Sequence, residues 1–188
     1  KHFILVGVRG SGKTHWCYHI ESLARKHGIK TLYISVRSAL IASERSLLEH
    51  LESVGINVRA IEEPVLLLLD ELDEILYVEA GVSRLRERFI RDLAYLVDIA
   101  DHKPLMLTLA SLPRTLEMLS GEALFSKLFG ATGRVELSAI ISDYRRARVV
   151  WLDKFWLYKE SIEDKTNFLI DVAHISINYE LEKMREKG

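Results

Sequence analysis

Glutamine is absent from this chain, asparagine occurs three times (Asn57, Asn167, Asn178) and cysteine once, as Cys17. One cysteine excludes an intramolecular disulfide and a multi-cysteine zinc site. Thermolabile residues are scarce while Glu, Lys and Arg are plentiful, the compositional lean of hyperthermophile proteins. The longest uninterrupted apolar run, Val65–Leu69, falls far short of a membrane span, and there is no secretory signal. The expectation is therefore a cytoplasmic chain with no membrane partner. Neither sign of charge dominates: 26 Lys+Arg face 27 Asp+Glu, for a formal net charge of −1. That balance argues against a basic nucleic-acid-coating protein or an acidic tail, and leaves a local basic face open.

The 188 residues are 48% hydrophobic and 28% charged, which suits one domain, or one domain with a small helical appendage. A core of that size needs no staples. An apolar run begins almost at once, at Phe3, so the chain reads as an excised domain with more protein before Lys1.

Short apolar runs alternate with amphipathic stretches. Phe3–Val8, Thr31–Val36, Val65–Leu69, Leu105–Ala110 and Arg134–Leu137 read as strands. Lys13 to about Lys26, Ala39–Val54 and Val82–Ala100 read as helices, the first two closed by Gly28 and Gly55. Arg114–Leu119 and Glu122–Phe129 read as short helices. Pro64 and Pro104 stand directly before two of the apolar runs, and the third proline is Pro113. From Asp143 to Glu186 the pattern is helical, with Ser142 and Ser161 as caps. The expected fold is α/β: a five-stranded parallel sheet flanked by helices over residues 1–140, with a helical lid over residues 141–188.

Gly7-Val8-Arg9-Gly10-Ser11-Gly12-Lys13-Thr14 follows an apolar strand and opens a helix. That is the G-x-x-x-x-G-K-[ST] spacing in the context it requires. Gly7, Gly10 and Gly12 let the loop wind tightly, so that backbone N–H groups converge on phosphate oxygens. Lys13 is a point charge for the β and γ oxygens, the Thr14 hydroxyl is a hard ligand for Mg²⁺, and the helix N-terminus faces the anion. Ser11 and His15 complete the candidate nucleotide contacts. At the end of the third apolar run stand Asp70, suited to hold Mg²⁺ through a water, and Glu71, suited to polarise an attacking water. Asp73 and Glu74 read as facing solvent. Ser111, at the end of the fourth run, suits either a hydrogen bond to the γ-phosphate or attacking water, or a cap on the next helix.

Arg84, Arg86, Arg88 and Arg91 form a row that reads as a solvated helix face, with contact to a duplex DNA backbone as the alternative. Arg114 and Arg134 are the candidates for a transition-state arginine. Arg145, Arg146 and Arg148 read as part of the first lid helix, a position from which they could sense nucleotide. Trp151, Phe155, Trp156 and Tyr158 read as lid core. His15 and His19 share a helix face but lack a third zinc ligand. Cys17 reads as a buried small residue.

Together Gly7–Thr14, Leu66–Glu71 and Leu105–Ser111, supported by Leu128-Phe129-Gly130 and Gly133–Leu137, resemble the AAA+ and related STAND ATPases over about residues 1–160. The likeness is to archaeal STAND-type ATPases, to origin-recognition ATPases, and to those that regulate transposition or load helicases. It implies a central phosphate-loop strand, a helical lid, and ATP with Mg²⁺ as ligands. Carried over, Lys13 and Thr14 hold phosphate and metal, Asp70 holds metal, Glu71 activates water, and Ser111 takes the sensor position. The lid carries no Gly-Gly-x-Pro or Gly-Asp-Ala-Arg motif, and the segment that often cradles adenine before the first strand is not in this chain. The function expected is Mg²⁺-dependent ATP binding and hydrolysis that switches the position of a lid or partner within a larger protein or homo-oligomer, the partner being duplex DNA or a protein. The alternative is a DNA-associated regulator in which binding rather than turnover matters.

Overall fold

Five consecutive buried residues, His2–Val6, form strand β1. The structure, a computed structural model, describes residues 2–76, 83–118, 123–130, 141–143, 146–152 and 182–184. Helix α1 (Lys13–Lys26) follows the glycine-rich loop, and β2 (Lys30–Ser35) follows α1. A π-helical turn at Arg37–Ile41 leads to α2 (Leu47–Ser53), and a single 3₁₀ turn, Val58–Ala60, leads to β3 (Val65–Asp70). Then come α3 (Leu72–Leu76), α4 (Ser83–Ile99), β4 (Leu105–Ser111), α5 (Pro113–Met118) and α6 (Ala123–Phe129). Strands β5 (Ile141–Asp143) and β6 (Ala147–Trp151) complete the sheet.

The sheet order is β2-β3-β4-β1-β6-β5. The first five strands in that order are parallel, and β5 runs antiparallel at the edge beside β6. The expected five-stranded parallel sheet is present, with β1 in its interior. Strand β3 is buried along its whole length, as an inner parallel strand covered on both faces must be. Each of Leu66–Leu69 contributes about 2 kcal/mol of burial.

Strand alternation divides the core in two. Phe3, Leu5, Leu66, Leu68, Met106 and Ala110 pack against Cys17, Ile20, Leu23 and Ala24 of α1. Ile4, Val6, Leu67, Leu69, Leu107 and Leu109 pack on the other side against α2, α4 and α6. Helix α4 presents Leu85, Phe89, Leu93, Leu96 and Val97 to that second cluster, which is the stripe its periodicity predicts.

Three expectations need correction. The helix foreseen over 39–54 is two pieces. Ser46 adopts an extended backbone and forms a reciprocal capping box with Glu49, so a new helix starts there. The buried Asp92 carboxylate accepts a second N–H at that end, from Leu48. The helix foreseen from Asp143 is strand at 141–143 and 147–151, because Ala147, Val149 and Trp151 alternate into the core. The fifth parallel strand is thus β6, and the sheet runs past residue 140; the stretch 134–137 lies outside the described residues. Asp73 is buried rather than solvated, because Leu72 and Ile75 draw α3 onto the sheet. Residues 153–181, the bulk of the expected lid with Phe155, Trp156 and Tyr158, lie outside the described residues.

Candidate active site

The loops carrying the candidate phosphate, metal and water residues leave the carboxyl ends of parallel strands. The glycine-rich loop follows β1, Ser35 ends β2, Asp70 ends β3 and Ser111 ends β4. That edge is where open parallel sheets place their ligands. A cavity of about 410 Å³, lined in part by Lys30, Asn57, Glu62 and Glu63, opens at the opposite end of β2 and β3.

Gly10 (φ 81°) and Gly12 (φ 90°) take left-handed backbone, and an added Cβ at either would meet nothing within 4 Å. Side chains are excluded there by backbone conformation, not by space. Gly7 does not share that conformation. It is buried, its N–H donates to the Ser111 carbonyl (3.2 Å), and its own carbonyl accepts from Lys13 Nζ (2.7 Å). Lys13 also donates to the Val8 carbonyl at 2.9 Å, which lays the ammonium across the loop. Ser11 is buried and its hydroxyl has no hydrogen-bond partner, an orphan beside the loop. His15 is exposed on the first turn of α1.

Thr14 Oγ1 donates to Asp70 Oδ2 at 2.6 Å, tying α1 to β3. The same oxygen accepts from the Tyr33 hydroxyl at 2.9 Å, and Asp70 Oδ1 accepts the Glu71 N–H at 2.9 Å. Three donors compensate a carboxylate that is only 2% exposed. Burial and the adjacent Asp70 charge push the Tyr33 phenol up from its ordinary value, so it stays a donor. Burial, then Asp70, also raise the Cys17 thiol, which is a buried, unreactive residue as expected.

Glu71 has left-handed backbone, φ 61°, a conformation that costs an L-residue about 1–2 kcal/mol. Its Oε2 accepts a 2.6 Å hydrogen bond from Ser35 Oγ. Ser111 ends β4, in register with Val6 at the end of β1, is 1% exposed, and its hydroxyl has no hydrogen-bond partner. It therefore does not cap α5. Glu74 faces Arg9 of the glycine-rich loop at 3.9 Å.

Of the arginines, Arg146 is not near this edge. It precedes β6 at the other end of the sheet, pairs with Asp98 (3.2 Å) and Asp101, and shares Asp98 with Lys127. Burial pushes the Asp98 carboxyl up, but the Lys127 and Arg146 charges outweigh it and hold the group below its ordinary value. Arg148 stands within β6, not on a lid helix. Arg114 opens α5 just past Ser111, whereas Arg134 and Arg145 lie outside the described residues. In the α4 row, Arg88 pairs with Glu49 at 2.6 Å, and Arg84 and Arg91 are exposed.

No family model matches the chain, and no curated protein matches it. Among the solved structures similar to this chain are two origin-recognition proteins. The Aeropyrum pernix ORC2 protein, determined as ADPNP–ADP complexes, is 18% identical over 68% of this chain and 40% of its own, with a TM-score of 0.42. Drosophila ORC bound to DNA is 13% identical over 97% of this chain and 49% of its own, with a TM-score of 0.41. This chain spans less than half of either. The functional reading rests on the residues themselves.

The residues fit a Mg²⁺ held together with phosphate groups. One buried carboxylate and one hydroxyl, 2.6 Å apart, are the hard oxygen set that a Mg²⁺ shared with phosphates uses. Among the described residues no group of three or more His, Cys, Asp or Glu forms an all-protein metal cage. None of their helices is long and apolar enough to cross a membrane. His19 instead sets its ring edge-on to Trp16.

Sequence reasoning missed Tyr33 and Ser35. Both lie in a strand that reads only as β-branched and aromatic. The available signal was their parity: residues 33 and 35 share one face of β2, and Ser35 is in register with Asp70.

Proposed function

We propose that the chain is a Mg²⁺-dependent ATPase domain whose nucleotide state sets the position of a lid or partner within a larger protein or oligomer. The observation that carries this is the Thr14–Asp70 hydrogen bond, which joins the start of the phosphate-loop helix to the carboxylate at the end of β3. In this reading the loop N–H groups and Lys13 bind the phosphates, and Lys13 exchanges the Gly7 and Val8 carbonyls for phosphate oxygens. Thr14 and Asp70 hold Mg²⁺, which supplies charge neutralisation on the transferring phosphoryl group. Glu71 takes a proton from the attacking water at its carboxylate, once released from Ser35. Ser111 offers an unused buried hydroxyl at the end of β4, beside the phosphate-loop strand. Arg114 is the described candidate for a transition-state arginine, with Arg134 the other. The helical lid of this proposal begins after Leu152. A switch requires contacts present in one nucleotide state only, and the γ-phosphate would supply them.

Lys13→Ala should abolish nucleotide binding. Glu71→Gln should bind ATP and fail to turn it over, measured by fluorescent-nucleotide titration and phosphate release. Glu71→Gln hydrolysing at the wild-type rate would overturn the role given to Glu71.

A further inference from the structure

We propose that Tyr33 is a positioning residue for the metal end of this site, acting through Asp70; the inference rests on the ATP–Mg²⁺ reading above. A tyrosine couples a large apolar ring to a polar tip that seeks a hydrogen-bond partner where it is withdrawn from water. On edge strand β2, Tyr33 sets its ring against Tyr18 of α1 and its hydroxyl against Asp70. Its hydroxyl donates to Asp70 Oδ2 at 2.9 Å, the oxygen that also accepts from Thr14 at 2.6 Å. With the Glu71 N–H on Oδ1, Asp70 is oriented from three elements: β2, α1 and its own strand end.

Of the three donors, Thr14 has a second duty, because its hydroxyl oxygen is also the candidate metal ligand. The Glu71 N–H belongs to a residue in left-handed backbone. Tyr33 is the donor that is neither a candidate metal ligand nor part of the backbone, and it is held at both ends. Its ring centroid lies 5.1 Å from that of Tyr18, tilted by 31°, and Tyr18 follows Thr14 by one helical turn on α1. The Tyr18 ring backs the Tyr33 ring, the Tyr33 hydroxyl fixes Asp70, and Asp70 meets Thr14. The chain of contacts thus closes a loop from α1 to β2 to β3 and back to α1. Groups that hydrogen-bond a metal-binding carboxylate set its orientation and basicity, and their loss typically costs 10–100-fold in metal affinity.

The test uses the full chain and three variants: Tyr33→Phe, which removes only the hydroxyl, Tyr18→Leu, which withdraws the backing ring, and Glu71→Gln as a control without turnover. A fluorescent ATP analogue is titrated first in EDTA and then across Mg²⁺ concentrations, and Mn²⁺ binding to the nucleotide-loaded chain is read by electron paramagnetic resonance. Tyr33→Phe should raise the Mg²⁺ and Mn²⁺ half-points by about ten-fold while leaving nucleotide affinity in EDTA unchanged. Tyr18→Leu should shift the half-points the same way by less. A general folding defect would instead lower affinity in EDTA as well, and that result in both variants overturns the positioning role. If the wild type binds nucleotide with metal dependence and Tyr33→Phe matches it, this inference falls and the ATPase reading stands. A wild type that binds no nucleotide overturns both.

Discussion

The hydroxyl of Ser35, at the end of β2, donates to the carboxylate of Glu71 across the end of the neighbouring strand at 2.6 Å. That bond occupies one oxygen of the proposed base and draws it toward the edge strand. Ser35→Ala should therefore raise ATP turnover by about five-fold, the equivalent of one net hydrogen bond of about 1 kcal/mol. Nucleotide affinity should stay the same. Steady-state phosphate release beside a binding titration checks this, and a fall in turnover would place Ser35 among the groups that help Glu71 work.

Glu71 also carries backbone strain. Glycine at 71 relieves the left-handed conformation, whereas alanine keeps it, and both remove the carboxylate and its bond to Ser35. Glu71→Gly should be more stable than Glu71→Ala by about 1 kcal/mol, and neither should turn over ATP. Urea unfolding of the pair isolates the backbone contribution. Equal stabilities would show that residue 71 is not left-handed in solution.

The Asp98–Lys127–Arg146 network fastens α4 and α6 to the segment before β6. The Asp98 carboxyl lies below its ordinary value in the folded chain. Its contribution is thus full above the unfolded value of about 3.9 and is lost as pH falls through the lower folded value. Asp98→Asn should be less stable than wild type near pH 7. The Asp98 side chain is half exposed, so solvent screening limits the difference to about 1 kcal/mol. That gap should begin to narrow below about pH 4 and close only below the lower folded value. Urea midpoints at pH 7 and pH 3 measure it.

A chain ended after Ile140 loses β5 and β6, and with them one neighbour of β1. A chain ended after Leu152 keeps both strands and, among the described core residues, loses only Met184. The longer fragment should give cooperative thermal unfolding, and the shorter one should aggregate through the open edge of β1. Circular dichroism melts and size-exclusion chromatography distinguish them.

Much of the site was legible because its signals are local. The Gly7–Thr14 spacing and the all-apolar run into Asp70–Glu71 each sit in one short segment, and periodicity placed β3, β4 and α4 within a residue or two. Residues whose role depends on a neighbour in space were not legible. Ser35 and Tyr33 gain their meaning from strand register, and Arg146 from lying at the far end of the sheet. Strand β6 was hidden for a different reason. Arg145, Arg146 and Arg148 give its stretch a charged, helical look, while its apolar signal is three alternating residues, Ala147, Val149 and Trp151. The break before α2 was written in Ser46 and Glu49, but a continuous leucine stripe outweighed it.

The pairing of His2 with Ala147 joins one end of the described sheet sequence to the other. On a ribosome adding roughly 5–20 residues per second, β1 and the loop it carries are made first and wait roughly 7–30 seconds for their outer neighbour. The phosphate loop is therefore the earliest part of the site to be synthesised and among the last to be set in place. A nascent chain would flank its phosphate-loop strand on both sides only once β6 has paired beside β1.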